Sequence, residues 1–242
     1  MNFLKLCVCI LTLTTAINVN AQLPDGLAKS YVLSNPATTG VTFQIGYSLG
    51  VHNGTVTSMK SLVTLSNKNK ILSGEFSIPI SQISTGNATR DCHMREAMGI
   101  EYSKSSFPTN HVCDANNQLP SSGVDSIAYP EVRFKFVTVK KNSGSDLPEV
   151  LEVGKVYSLA VQGQWVMHGQ VVDFSSDVSP EFLPVQIKLL NAATQEIQVT
   201  AKFQISLKAF NIQVKPFKVL IASIGVSDNA KITLDTKMIL KQ

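Results

Sequence analysis

Apolar and polar residues alternate along most of the chain, with a period of two that is typical of β-strands with one face in a core. The first clear example is the segment 41–49, where Val41, Phe43 and Ile45 alternate with polar residues. The same alternation recurs in the segments 72–80, 132–136, 157–167, 183–189, 199–209 and 232–240, and more weakly between residues 55 and 65. The pattern therefore predicts about eight strands, nearly all antiparallel because the connections are short.

Two positions interrupt this alternation. Asn53-Gly54 is a turn signal after the first strand. At Ala209-Phe210 the apolar face changes phase, so Phe203 and Phe210 both face one core only if the strand carries a bulge or a bend there. Such bends occur at the corners of barrels.

A helical pattern separates the early strands from the later ones. Strong helix formers occupy residues 90–98, with Thr89, or alternatively Asn87, as the N-cap and Gly99 as a left-handed C-terminal residue. The polar segment 101–129 then predicts a long loop. Loops of that length in a compact domain usually have a function or are held by a constraint.

Strands with one apolar and one polar face predict an all-β fold, either a closed antiparallel barrel or a sandwich. A barrel of about eight strands is either filled by its own side chains or wide enough for one slender ligand. In a hollow barrel, the bulky inward-facing residues would line the cavity, and these are Phe43, Tyr47, Phe76, Phe134, Phe136, Trp165 and Phe203.

The first 21 residues have the features of a secretory signal peptide. Lys5 precedes the apolar run 6–16, and a small-x-small pattern predicts cleavage after Ala21. The run is too short to span a bilayer, and no later segment approaches a spanning length. We therefore expect export to the periplasm or the medium, no stable membrane insertion, and a mature domain covering residues 28–240.

The charge distribution argues against a nucleic-acid partner. The net charge is +4, and loss of Lys5 with the signal segment leaves 20 basic against 17 acidic residues, interspersed along the chain. Proteins that bind nucleic acid concentrate basic residues in a patch or a stripe.

Two cysteines, Cys92 and Cys113, remain after the signal segment is removed. An isolated pair in an exported protein is most often a disulfide, which would stabilise the fold by roughly 3 kcal/mol on the chain-entropy estimate. A zinc site with the neighbouring His93 and His111 is an alternative, although adjacent helical residues point about 100° apart. A free reactive thiol is another. We expect the disulfide, with no metal and no cofactor.

Several motifs together resemble one protein family, in the same order along the chain. They are Ser-Thr-Gly at 84–86, Arg-Asp-Cys-His-Met-Arg at 90–95, Tyr-Pro-Glu-Val-Arg-Phe at 129–134, Gly-Gln-Trp-Val-Met-His-Gly at 163–169, the segment 205–212 around Phe210, and Val-Ser-Asp at 226–228. This combination resembles the YceI-like family of secreted bacterial proteins over nearly all of the mature chain. The sequence departs from the family pattern at Leu207, where an Arg is common, and in the longer segment between Cys92 and Cys113.

The resemblance implies a lipocalin-like antiparallel barrel with a short helix and a long loop at one mouth. It also implies a long apolar ligand, such as a polyisoprenoid or a fatty-acid-like chain, because some members of the family hold one in the barrel. An exported carrier is therefore the leading functional hypothesis.

Polar residues at the mouth of such a barrel would orient the head of the ligand. The candidates are Arg90, His93, Arg95 and His168, and a phosphate-bearing head would favour the two arginines. Structural roles are the alternative, namely an Arg90–Asp91 ion pair or helix cap, and a histidine at 168 that serves only the fold.

Two other classes of function remain open. In an enzyme, Cys92 would be the nucleophile, His93 or His111 the base, and Asp91 an orienting acid. The sequence contains no hydrolase elbow and no metalloprotease helix, so we expect no enzymatic activity. In the other class, a solid barrel with a stress-response or interaction role would bind protein through the loop 101–129.

Overall fold

The computed structural model describes residues 28–66, 71–139, 147–148, 150–173, 183–213, 217–219, 222–224 and 226–241. The predicted signal segment, residues 1–21, lies outside these ranges. The strands are β1 (Ala28–Leu33), β2 (Val41–Tyr47), β3 (Gly50–Val56), β4 (Lys60–Ser66), β5 (Ile71–Pro79), β6 (Ile83–Ser84), β7 (Glu131–Val139), β8 (Val156–Met167), β9 (Gln170–Asp173), β10 (Leu183–Asn191), β11 (Glu196–Ser206), β12 (Phe217–Val219), β13 (Ala222–Ile224) and β14 (Val226–Leu240). The helix α1 spans Ala88–Gly99.

Eight strands form a closed antiparallel barrel in the order β1, β4, β5, β7, β8, β10, β11 and β14. The ring closes because β1 pairs with β4 on one side and with β14 on the other. The predicted fold class is confirmed. Antiparallel neighbours follow from the short connections, and closure leaves the barrel without an open edge along this ring.

The long strand β14 gives the two ends of the barrel different walls. Its C-terminal part pairs with β1, and its N-terminal part pairs with β2. The strands β2, β3 and β6 therefore extend the wall at one end only. The helix α1 follows directly after β6 and lies at this same end.

The opposite end of the barrel is filled by side chains. Tyr31, Leu65, Ile197 and Met238 are fully buried there, on strands that are neighbours in the ring. Each lies at an inward-facing position of its strand. Its burial removes apolar surface from water, while the polar residues of the same strand remain on the outer face. The solid-core alternative thus describes this end of the barrel.

Local corrections concern turns and caps. Asn53-Gly54 lies inside β3, and the hairpin turns at residues 48–49 instead. Gly54 is required within the strand because a Cβ there would lie 2.1 Å from Cζ of Phe43. Asn87 is the N-cap of α1, since its side-chain oxygen accepts a hydrogen bond from the backbone N–H of Arg90. Gly99 is helical, and a Cβ there would meet the side chain of Ile80 at 2.5 Å.

The chain bends at Ala209-Phe210 as predicted, but through a 3₁₀ turn and not through a bulge in a continuous strand. The strand β11 ends at Ser206, and residues Lys208–Phe210 form a 3₁₀ turn that Asn211 ends in a left-handed conformation. The turn rotates the chain, so Phe210 is buried although Phe203 belongs to the opposite sequence phase. Phe203 is half-buried within the strand.

The loop after α1 contains no strand between residues 101 and 130, all of which the structure describes. It returns to the helix, where the N–H groups of Ala128 and Tyr129 donate to the carbonyl of Gly99. Among the described residues, no helix is long and apolar enough to cross a membrane.

Candidate functional site

A cavity of about 630 Å³ lies at the end of the barrel that β2, β3 and β6 extend, beside α1. This volume falls in the range of about 300–1,000 Å³ that small-molecule sites occupy. Most of the wall is apolar, and it includes Val41, Phe43, Ile45, Val56, Ile78, Ile83, Met94, Ala97, Met98, Phe107, Val132, Trp165, Met167, Ile205, Leu207, Ile212, Val226, Ala230 and Ile232. The barrel is therefore hollow at this end and filled at the other.

The structure places three of the seven aromatic residues predicted for a cavity on this wall. They are Phe43 and Tyr47 on β2 and Trp165 on β8. Phe76, Phe134, Phe136 and Phe203 lie off the wall. These four residues do not line the observed cavity as predicted, although the sequence pattern predicts that each faces inward.

The four rings lie deeper along their strands than the wall residues. On β5, Ile78 lines the cavity, and Phe76 lies two residues further into the barrel. Phe134 stands in the same relation to the wall residue Val132 on β7. Each pair shares one strand face, so alternation predicts the face but not the depth.

The deeper rings form a cluster that separates the cavity from the filled end. The ring centroid of Trp165 lies 4.7 Å from that of Phe134 and 5.4 Å from that of Phe203. Phe136 packs edge-on against Phe134 at 5.1 Å and against Phe76 at 5.9 Å. These distances suit stacked and edge-to-face aromatic packing, which makes a rigid floor.

The polar part of the wall comes from the start of α1 and from two neighbouring segments. It consists of His52, Thr85, Asn87, Thr89, Arg90, His93 and His111. Along the helix, the wall changes from Arg90 and His93 in the first turns to Ala97 and Met98 in the last. One end of the cavity is therefore polar, and the rest suits a hydrocarbon.

Asp91 fixes the start of the helix and does not pair with Arg90. Its carboxylate accepts hydrogen bonds from the hydroxyl of Ser84 at 2.7 Å and from the N–H and hydroxyl of Thr85 at 2.7 and 2.6 Å. Burial alone would raise the pKa of Asp91, but these hydrogen bonds, with help from Arg95, hold the pKa below its usual value. The carboxylate stays ionised and turned away from the cavity.

Glu96 ties the long loop to the helix. This fully buried carboxylate accepts hydrogen bonds from the N–H groups of Val112 and Cys113 through Oε1, at 2.6 and 2.8 Å. Its Oε2 lies 2.7 Å from Nδ1 of His111. A disulfide joins Cys113 to Cys92 on the same helix. The disulfide leaves no thiolate for the hydrolase hypothesis, in which Cys92 is the nucleophile.

Among the described residues, the group of side chains most similar to a metal site consists of His93, Glu96 and His111, whose ligand atoms lie within 4.8 Å of one another. The two imidazole rings are stacked, with centroids 3.9 Å apart and planes 17° from parallel. Because the lone pairs of imidazole lie in the ring plane, nearly parallel stacked rings do not direct them at one ion. In this arrangement Glu96 anchors the loop rather than completing a coordination sphere.

Of the residues predicted for a polar mouth, Arg90 and His93 line the cavity, whereas Arg95 and His168 do not. Arg95 donates from Nη2 to the carbonyl of Ser81 at 3.2 Å. His168 is buried, with Nε2 2.9 Å from the carbonyl of Ile100 and Nδ1 3.2 Å from that of Phe210. His168 therefore has the structural role that was the alternative to ligand contact. Its ring joins the end of the helix to the 3₁₀ turn.

Sequence reasoning missed His52 and His111. His52 lies opposite Ile45 in the β2–β3 hairpin, and its ring stacks on Tyr47 with centroids 4.1 Å apart. The turn assigned to Asn53-Gly54 hid this pairing, because a hairpin turn at residues 48–49 is what brings His52 back beside the wall. For His111, the sequence suggests only the role of a zinc ligand or a base.

The comparisons with known proteins agree with this architecture. A family model described as a YceI-like domain matches residues 31–238. A solved structure described as a polyisoprenoid binding domain from Saccharophagus degradans, implicated in plant cell wall breakdown, is 11% identical, with a TM-score of 0.54 over 87% of this chain and 98% of that one. No curated protein matches the chain.

Two further solved structures are similar in outline. BcnA from Burkholderia cenocepacia is 12% identical, with a TM-score of 0.47 over 89% of this chain and 96% of that one. A YceI protein from Campylobacter jejuni is also 12% identical, with a TM-score of 0.49 over 78% of this chain and 85% of that one.

Proposed function

Because the chain belongs to the YceI-like domain family, whose model spans residues 31–238, we propose that it is an exported carrier that encloses a long apolar molecule in one end of its barrel. The observation that carries this proposal is the apolar cavity of about 630 Å³ between the strands and α1. The Saccharophagus degradans domain of similar fold is described as polyisoprenoid-binding, which supports a chain-like ligand.

The driving force would be burial of hydrocarbon. Each methylene group moved from water into an apolar wall contributes about 0.8 kcal/mol, so ten of them contribute about 8 kcal/mol before the costs of association. The aromatic floor at Trp165 limits how far a chain enters. A ligand longer than the cavity would leave its head at the polar end, where His52, Arg90 and His93 lie.

Export is the second part of the proposal. The apolar run 6–16 after Lys5 supports a cleaved signal, and the Cys92–Cys113 disulfide is typical of an oxidising compartment. Fractionation of cells that express the full chain tests this: we expect the mature protein outside the cytoplasm, with an N-terminus near residue 22. Full-length protein in the cytoplasm would contradict it.

The single tryptophan of the chain makes ligand entry measurable. Trp165 is that residue and it lines the cavity, so a bound conjugated-tetraene alcohol with a long chain should accept its excitation energy. We expect saturable energy transfer at one equivalent of probe. In the matched control Trp165→Phe, transfer disappears while the probe's directly excited fluorescence still reports binding.

Failure of this experiment would be unambiguous. A folded protein that shows neither transfer nor probe fluorescence, and that yields no co-purified lipid by native mass spectrometry and extraction, is not a carrier of long apolar chains.

A further inference from the structure

The polar end of the cavity has a positive charge with no counterion among the residues that the structure describes. Arg90 is the only permanently charged residue that lines the cavity in the part of the chain that the structure describes, and no Asp or Glu accompanies it there. It is half-buried, so its charge is partly removed from water. Such a charge is stabilised when an anion binds to it.

The two carboxylates on the same helix are already used elsewhere. Asp91 accepts three hydrogen bonds from Ser84 and Thr85, and Glu96 accepts from the loop backbone at Val112 and Cys113. Neither is available to Arg90. Among the described residues, the guanidinium of Arg90 has no hydrogen-bond or ion-pair partner, and the hydrogen bond at this residue uses its backbone N–H.

The groups around Arg90 suit an anion. His52 lines the cavity beside it, and burial, followed by the charge of Arg90, lowers the pKa of His52. His52 is therefore neutral near pH 7 and adds a hydrogen-bonding group without a second charge. Thr89 also lines this end and offers a hydroxyl donor, and the positive end of the α1 dipole acts in the same direction.

We propose that the protein selects long-chain ligands with an anionic head group, a carboxylate or a phosphate, which Arg90 binds at the polar end of the cavity. This inference rests on the carrier function proposed above. The hydrocarbon wall provides most of the affinity, and Arg90 provides the selection among heads. Bidentate pairing with a planar guanidinium serves both anions.

Three ligands of one chain length test the head group: a fatty acid, the corresponding primary alcohol and the corresponding alkyl phosphate. Each displaces the neutral tetraene alcohol from the mature protein at pH 7.5. Because hydrogen bonds to charged groups are stronger than neutral ones, we expect the acid and the phosphate to compete about 10- to 100-fold better than the alcohol. Either order of the two anions supports the proposal and identifies the preferred class.

Two charge-removing variants on one helix make a matched pair. Arg90→Gln should remove the preference for anions, so that the acid, the phosphate and the alcohol compete about equally. Arg95→Gln removes the same charge from a residue that does not line the cavity, and it should keep the preference. Arg90→Lys should retain part of it, since an ammonium keeps the charge but not the bidentate geometry.

The outcomes separate this inference from the carrier function. If the alcohol competes as well as both anions, or if folded Arg90→Gln keeps the preference, the head-group inference is wrong and the carrier function stands. If neither the probe nor any of the three ligands enters the cavity, the carrier function is wrong, and the head-group inference is wrong with it.

Discussion

One substitution placed at two buried alanines distinguishes the hollow end of the barrel from the filled end. Ala230 on β14 lines the cavity, whereas Ala201 on the neighbouring strand β11 is buried off its wall. Both are almost inaccessible to solvent, at 3% and 4% of their surface. Phenylalanine at either position keeps the chain apolar, so the two variants differ mainly in whether space exists for the ring.

The two variants are expected to change different properties, the ligand affinity in Ala230→Phe and the stability of the fold in Ala201→Phe. In Ala230→Phe the ring enters the cavity, and if it takes the place of about four methylene groups of ligand, the loss is about 3 kcal/mol, or about 200-fold in affinity. Its stability should be unchanged or raised. In Ala201→Phe the ring has no space, and overpacking should destabilise the fold by about 1–3 kcal/mol. For a domain of this size, the melting temperature would fall by about 2 to 12 °C.

Two assays on each variant suffice: titration with the tetraene alcohol, followed through Trp165, and thermal unfolding followed by circular dichroism. Wild-type affinity for the probe in folded Ala230→Phe would show that the observed cavity is not the ligand site. Equal destabilisation of Ala230→Phe and Ala201→Phe would show that the space assigned to the cavity is filled in solution.

Three further predictions concern the attachment of the helix and loop. After denaturation without reductant, protein lacking residues 1–21 should contain no free thiol, and the double variant Cys92→Ser/Cys113→Ser should lose roughly 3 kcal/mol of unfolding free energy in urea. Glu96→Gln keeps the shape but replaces charge-assisted hydrogen bonds to the loop by neutral ones, so urea unfolding should show a loss of about 1–2 kcal/mol; a loss near zero would contradict its anchoring role. Because the pKa of Asp91 is lower in the folded state, its contribution to stability is present above the unfolded pKa of about 4 and is lost as the pH falls through the folded value; urea unfolding between pH 2 and pH 6 should therefore show a weaker pH dependence in Asp91→Asn.

The alternation of apolar and polar residues specified which side of each strand faces the inside, because successive side chains of a regular strand point to opposite faces. That alternation predicted the all-β barrel. It placed Phe76, Phe134 and Phe203 on inward faces, and their side chains pack against the buried core. It missed β1, a segment of six residues in which Tyr31 and Leu33 are buried. Only pairing with both β4 and β14 makes that segment a strand.

The three-dimensional fold is needed to know how deep each inward-facing ring lies, where the chain turns and which polar groups pair. Whether an inward ring lines the cavity or lies beneath it depends on strand register and on the wall that β2 and β3 add at one end, neither of which alternation encodes. Sequence adjacency suggested that Asp91 pairs with Arg90, but the fold brings Ser84 and Thr85 within hydrogen-bonding distance of that carboxylate. Among the described residues, Arg90 is therefore left without an ion-pair partner beside an apolar cavity, because a carboxylate that already accepts three short hydrogen bonds gains little from a fourth partner.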